Sequence, residues 1–315
     1  MTQTTPPGPI AQQLLHSLAR ARDQKIVELK AVATARQHEA ELQRTAATRD
    51  TLADLHPIHA IYVYVQNQVS IMSETITQLP MLDKLTNIFL KAEDTYMPSG
   101  PPMSPLTGSY FFFWSVFDAA VGASRETIGT CILAVVRWAG SHPEFIRLIE
   151  AMQQSRMRLY IHDGCQKDTI YLRELITGER LPCIVPSGYR GERGEVWLAR
   201  VLPPPGPSFT ESLVMTTPYA VVDPGEVQWQ AYLDRTLPKV GAADRRDAYE
   251  RLMKYGLNLH YWNEYIFEAY VNYETSAVFL RGLPGVDESR PHSRTSEEMR
   301  ERVPARGARG RRGRA

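Results

Sequence analysis

Between Ile58 and Leu79 the apolar positions Ile58, Tyr62, Val65, Val69, Met72, Ile76 and Leu79 alternate spacings of four and three. That repeat marks one side of an α-helix turned toward another helix, here for three heptads. It predicts a packing seam, filled either by an internal helical hairpin or by self-association of the chain. Pro80 interrupts the pattern, and Leu82, Leu85 and Phe89 resume a similar face. Upstream, Ile10 to Leu55 holds no Pro or Gly and is rich in Ala, Gln, Arg and Glu, so a long helix is expected there. Its apolar stripe is thin: Leu14, Leu15, Leu18, Ile26, Leu29, Val32 and Leu42 are parted by alanines and charges. Such a helix packs loosely or on a partner.

The segment from Met97 to Ser109 is a Pro/Gly/Ser loop and the clearest internal break. Apolar helices are expected beyond it, near 110–122, 125–139 and 143–154. From Met157 the period shifts toward two. "MRLYIH", "TIYLREL", "RLPCIV", "EVWLARVL" and "SLVMTTPYAVV" are short runs parted by "DG", "TG", "SGYRGERG" and "PPPGP". Five such runs predict a small antiparallel barrel. Helical patterns return in "EVQWQAYLDRTL", "ADRRDAYERLMKYG" and "NLHYWNEYIFEAYVNYE", and "AVFLRGL" reads as an added strand. The expected organisation is a disordered N-terminus (1–9), a long helical, coiled-coil-like region (10–96), a loop (97–109) and an apolar helical bundle (110–155). A small β-barrel (156–223), a C-terminal helical segment (224–284) and a disordered Arg/Gly-rich tail (285–315) complete it. The fold class is α+β.

Composition changes this picture little. The formal net charge is +1, but residues 304–315 hold five arginines and no acid. The rest is therefore mildly acidic, at −4, and the end is basic. Cys131, Cys165 and Cys183 are the only cysteines, without C-x-x-C spacing, so neither a disulfide framework nor a cysteine zinc site is suggested, and a cytoplasmic setting is expected. The start "MTQTTPPGPIAQQ" lacks the basic and apolar regions of a secretory signal. The run "YFFFWSVFDAAVG" is interrupted by Asp118, and "TIGTCILAVV" ends at Arg137. Neither reaches the roughly 20 residues of a membrane span, so no membrane partner is expected.

Four stretches carry candidate chemistry. In "PSGYRGERGEVWLARVLPPP", Gly188, Gly191 and Gly194 stand three apart, but they lead into a strand, and Glu195 and Val196 stand where a P-loop has Lys and Ser or Thr. The stretch reads as a hairpin loop with Tyr189, Arg190 and Arg193 at its tip. "HDGC" brings His162, Asp163 and Cys165 into one turn, a set that could activate a thiol nucleophile, though ordinary turn chemistry explains it equally. His260, Glu264 and Glu268 share one helical stripe and are candidate metal ligands; a solvated face is the simpler account. At the end, Arg306, Arg309, Arg311, Arg312 and Arg314 alternate with glycines, which suits electrostatic contact with nucleic acid, helped by Arg190 and Arg193.

The span Thr169 to Val222, with "YLRELITGERLPCIV", "GEVWLARVLPP" and "VMTTPYAVV", resembles a small β-barrel module of uncharacterised bacterial proteins, in which a strand, a "TG" turn, a Gly-Asp or Gly-Glu step and an "ARV" strand recur. The resemblance implies a barrel and carries over no catalytic or binding residue. The expectation is a non-enzymatic interaction or scaffold protein without a cofactor, self-associating or binding a protein through its N-terminal helices. The alternatives are a nucleic-acid binder using the tail, and a hydrolase or metal-dependent enzyme.

Overall fold

A computed structural model describes residues 6–24, 47–97, 104–256 and 261–282. Its helices are α1 (Pro9–Gln24), α2 (Arg49–Ala53), α3 (Pro57–Ile76), α4 (Asp83–Tyr96), α5 (Gly108–Phe113), α6 (Ile128–Trp138), α7 (Pro143–Gln154), α8 (Glu226–Thr236), α9 (Arg245–Tyr255) and α10 (Tyr261–Ala269). The strands are β1 (Met157–Gln166), β2 (Thr169–Glu174), β3 (Arg180–Ile184), β4 (Val196–Leu202), β5 (Ser212–Val214), β6 (Tyr219–Asp223), β7 (Tyr270–Tyr273) and β8 (Val278–Arg281). The protein is α+β with a closed barrel of five strands.

The sheet runs β1-β2-β3-β5-β4-β6-β8-β7, and an additional β1–β4 pairing closes β1, β2, β3, β5 and β4 into a ring. The expected all-antiparallel barrel needs correcting, because β3 and β5 run parallel. Geometry requires this: five strands in a closed ring cannot alternate direction at every step. The expected fifth strand is also two. β5 pairs with Val201 and Leu202 of β4, whereas β6 pairs with its other end, Val196 to Leu198, and leaves the ring to run parallel with β8. Between them Thr216 Oγ1 accepts from the Arg200 backbone N–H at 3.0 Å, and Pro218 brings no N–H at all.

β4 is buried at every residue because both its faces are covered. Trp197, Ala199 and Val201 face the barrel interior with Tyr160, Ile170, Leu172, Cys183 and Val214. Val196 and Leu198 face outward into a core shared with α4, α5 and the C-terminal helices. The segments expected as 156–223 and 224–284 thus share one hydrophobic core. A second core joins α1, α3, α6 and α7.

Here the seam reappears. Ile58, Tyr62, Val65, Val69 and Ile76 are buried in this second core, with Met72 and Leu79 packed against it. At roughly 1.5–3 kcal/mol per buried apolar side chain, turning this face toward another copy would forfeit far more than an exposed contact returns. Self-association through these seven residues is therefore replaced by packing inside the chain. Of the long N-terminal helix, α1 and α2 are described, and 25–46 lie outside the described residues. α1 is held by Glu126, whose buried carboxylate accepts from Ile10 N at 3.0 Å and Ala11 N at 2.9 Å, two of the four amides that a helix start leaves unpaired.

The C-terminal helix also ends early. The expected helix through Glu274 stops at Ala269, and Tyr270–Tyr273 becomes β7 against β8. Aromatic and β-branched residues accept a strand readily once a partner strand stands beside them. The expected metal-ligand stripe straddles the start of α10: Glu264 is exposed and Glu268 partly buried, while His260 lies outside the described residues.

Candidate functional site

Three places gather polar or exposed apolar side chains: the barrel mouth, a buried ion cluster between barrel and helices, and a groove on the helical side.

At the mouth, strand alternation separates the "HDGC" residues. His162 is buried inside, its ring 5.3 Å from that of Trp197. Its Nδ1 accepts from Gly164 N at 3.1 Å, which leaves Nε2 as the N–H donor to the Arg190 carbonyl at 2.9 Å. Asp163 points the other way, toward Arg173 at 3.4 Å and Arg180 at 3.5 Å. Cys165 lies beyond a register shift between His162 and Cys165, exposed, with Arg190 Nη2 3.6 Å from its sulfur. The three do not form a triad: both imidazole nitrogens are engaged with backbone, and the carboxylate faces cations on the outer surface.

The glycine-rich loop folds back over this mouth. Tyr189 packs on Trp197 at 5.3 Å and on Phe279 at 5.9 Å. The Tyr189 hydroxyl and Trp197 Nε1 both donate to Glu195, the latter at 2.9 Å. Burial first, then Glu195, pushes the Tyr189 hydroxyl well above its ordinary range. Gly191 has φ +58°, and a Cβ there would stand 2.6 Å from the Trp197 ring. The glycines therefore let a loop close onto an indole, and no phosphate cradle forms. Arg190 is a latch, donating to the Lys167 carbonyl at 2.6 Å and facing Asp168 at 3.7 Å. Arg193 is exposed.

The second place was missed in the sequence. Arg200, on β4, and Asp118, at the end of a π-helical turn (Trp114–Asp118), are 1% and 3% exposed and form an ion pair across 82 residues of chain. Arg200 also donates to the Ser155 carbonyl at 3.1 Å and lies over the Phe113 ring at 5.0 Å. Lys254 Nζ stands 3.8 Å from the other Asp118 oxygen and donates to the Gln153 carbonyl. Burial raises the Asp118 carboxyl above its ordinary value, opposed by Arg200 and Lys254. Burial likewise pushes the Lys254 ammonium down to about 8, opposed by Asp118. Nearby, Glu250 binds Arg156 at 2.5 Å and Arg158 at 3.1 Å, and Tyr249 OH accepts from Leu159 N at 2.9 Å. The cluster joins the π-turn, β1, β4 and α9. A signal existed: Asp118 interrupts an otherwise apolar run, and a carboxylate in such a place needs a buried cation.

The third place lies on α3. Seen down the helix, Ile61, Tyr64, Gln68, Ile71 and Thr75 form a second stripe with spacings of three and four, about 100° round from the buried seam. Tyr64 is 51% exposed. With Ala60, Ile61 and Val65 of α3 and Phe145 and Leu148 of α7, it lines a surface groove of about 370 Å³. Every lining residue is apolar or aromatic. The wall holds because Tyr62 donates to the Pro203 carbonyl at 2.6 Å and Arg147 to that of Pro205, tying α3 and α7 to the loop after β4.

Among the described residues no group of three or more His, Cys, Asp or Glu is placed to hold a metal ion, and no helix is long and apolar enough to cross a membrane. Arg306, Arg309, Arg311, Arg312 and Arg314 lie outside the described residues. No family model matches the chain, and no curated protein or solved structure shows a significant match to it.

Proposed function

We propose that this protein works as an interaction protein, with the α3–α7 groove as its docking surface. The groove itself carries the reading: an aromatic and aliphatic recess at the surface, lined by Ile61, Tyr64 and Phe145, on a scaffold whose helices are tied to the barrel loop. Helices α3 and α7 meet here as a helix-in-groove partner requires, with anchors at one-turn spacing. Nile red fluorescence on dilute folded protein tests the reading. Dye binding is expected, with a severalfold weaker response in Tyr64→Glu; a native protein that leaves the dye dark removes the support.

The nucleic-acid reading stands second and rests on the tail arginines. On the barrel's outer side Arg173, Arg180 and Arg190 each face a carboxylate, which leaves them less available to phosphates. Nucleic-acid binding that weakens steeply with salt and disappears on deletion of Pro304 to Ala315 would support it.

A further inference from the structure

We infer that the partner seated in the α3–α7 groove is a second copy of this chain, its α3 lying antiparallel across a two-fold axis near Gln68. The inference rests on the reading of the groove as a docking surface and names its occupant.

Charge is the first reason. The twenty residues of α3 include one acid, Glu74, and no Lys or Arg. Glu74 flanks the second stripe, about 100° round from its centre and nearly opposite the buried seam, by the 100° advance per residue. A surface helix normally presents charges to water, and a charged partner helix normally reads them as complementary pairs. Along α3 this face offers such a partner nothing to pair with, and on α7 Glu144 and Arg147 are already paired with each other. It also offers its own copy nothing to repel, which is what a self-complementary, isologous contact needs.

Gln68 is the second reason. It stands in the middle of the stripe, with Tyr64 and Ile61 one and two steps before it and Ile71 and Thr75 after it. A carboxamide has both a donor and an acceptor, so across a two-fold axis it can bond its own copy in both directions. A polar residue at one seam position also fixes register, because any slip buries its amide against apolar side chains. Antiparallel pairing about Gln68 sets Tyr64 near Ile71 or Met72 of the copy and Ile61 near Thr75, aromatic against aliphatic.

Area is the third. A helix of 20 residues is about 30 Å long, and two helices lying 8–10 Å apart make a face roughly 20 Å wide, so each copy covers about 600 Å². Stable interfaces cover about 800 Å² per partner. The contact is therefore smaller than that of a stable complex, as a reversible association requires.

Sedimentation velocity of the full chain from below one to a few hundred micromolar tests this. A monomer–dimer equilibrium is expected. Gln68→Glu and Gln68→Arg should each weaken dimerisation at least tenfold, since each places like charges at the axis. An equimolar mixture of the two should recover a heterodimer, which only a contact centred on this residue predicts. Tyr64→Glu, at an exposed position, gives an independent loss, and circular dichroism verifies that each variant is folded. A dimer indifferent to all three substitutions overturns the inference by placing association elsewhere. A strict monomer overturns it too; if that monomer still binds Nile red in a Tyr64-dependent way, the groove stands as a docking surface and takes another protein.

Discussion

Two faces of one barrel treat arginine in opposite ways. On the inner side, against the helices, Arg200 and Asp118 are 1% and 3% exposed and meet as a buried pair, with Lys254 3.8 Å from the other Asp118 oxygen. On the open side, Arg173 shares Asp163 with Arg180 and binds Glu226, with side-chain exposures between 23% and 55%. The chemistry is the same, and solvent decides its weight. Water screens the outer pairs, which then contribute little; the inner pair has lost its hydration, so each charge depends on the other. The joint between barrel and helices is therefore sensitive to single replacements, whereas the outer face tolerates them.

The largest predicted effect breaks the inner side. Asp118→Ala leaves Arg200 buried without its carboxylate and should lower unfolding free energy in urea by about 3–5 kcal/mol. Replacing both partners, Asp118→Leu with Arg200→Met, should recover most of that loss; a double variant as unstable as the single one would contradict this account of the pair. Next comes the mouth. Gly191→Ala puts a Cβ 2.6 Å from the Trp197 ring at φ +58°, and a loss of about 1–3 kcal/mol is expected, with a change in Trp197 fluorescence.

The third prediction is a pH dependence. Lys254 is brought down to about 8 by burial, with Asp118 opposing and with Arg200 and Arg156 adding to the fall. An unfolded lysine titrates near 10.4, so between pH 8 and 10 the unfolded chain binds the extra proton and stability rises with pH. Above about pH 10 the sign reverses, because buried tyrosines such as Tyr110, Tyr249 and Tyr265 keep protons that their unfolded forms lose. Lys254→Met should flatten the rise between pH 8 and 10 in denaturant midpoints; an unchanged slope would mean that the ammonium titrates normally. The smallest effect is on the outer face, where Arg173→Ala should cost less than about 1 kcal/mol and even less in high salt. A loss comparable to that of Asp118→Ala would erase the distinction between the two faces.

Much of the architecture was legible because it is local. The runs at 157–162, 169–175, 180–185 and 195–202 became β1 to β4, since alternating β-branched and aromatic residues between turn residues leave the backbone little choice. Gly256 ended a helix where it stands, and Pro80 opened a short 3-10 turn after α3 had stopped at Ile76. The candidate chemistry was less legible. "HDGC" looks like one cluster in sequence, but strand alternation sends His162 and Asp163 to opposite faces. The importance of Asp118 depended on a strand 82 residues away, and no local pattern names such a partner.

The sequence by itself determined the elements: the seam on α3, the strand runs of the barrel, and glycines at 188, 191 and 194 where the backbone takes positive φ. These follow from side-chain periodicity and backbone sterics, which act within a few residues. Only the tertiary structure decided how the ring closes through a parallel pair, where YVNY stops being helix, which cation neutralises Asp118, and which side of α3 is left uncovered. Those outcomes depend on burial and pairing between distant segments, and desolvation acts only once they meet.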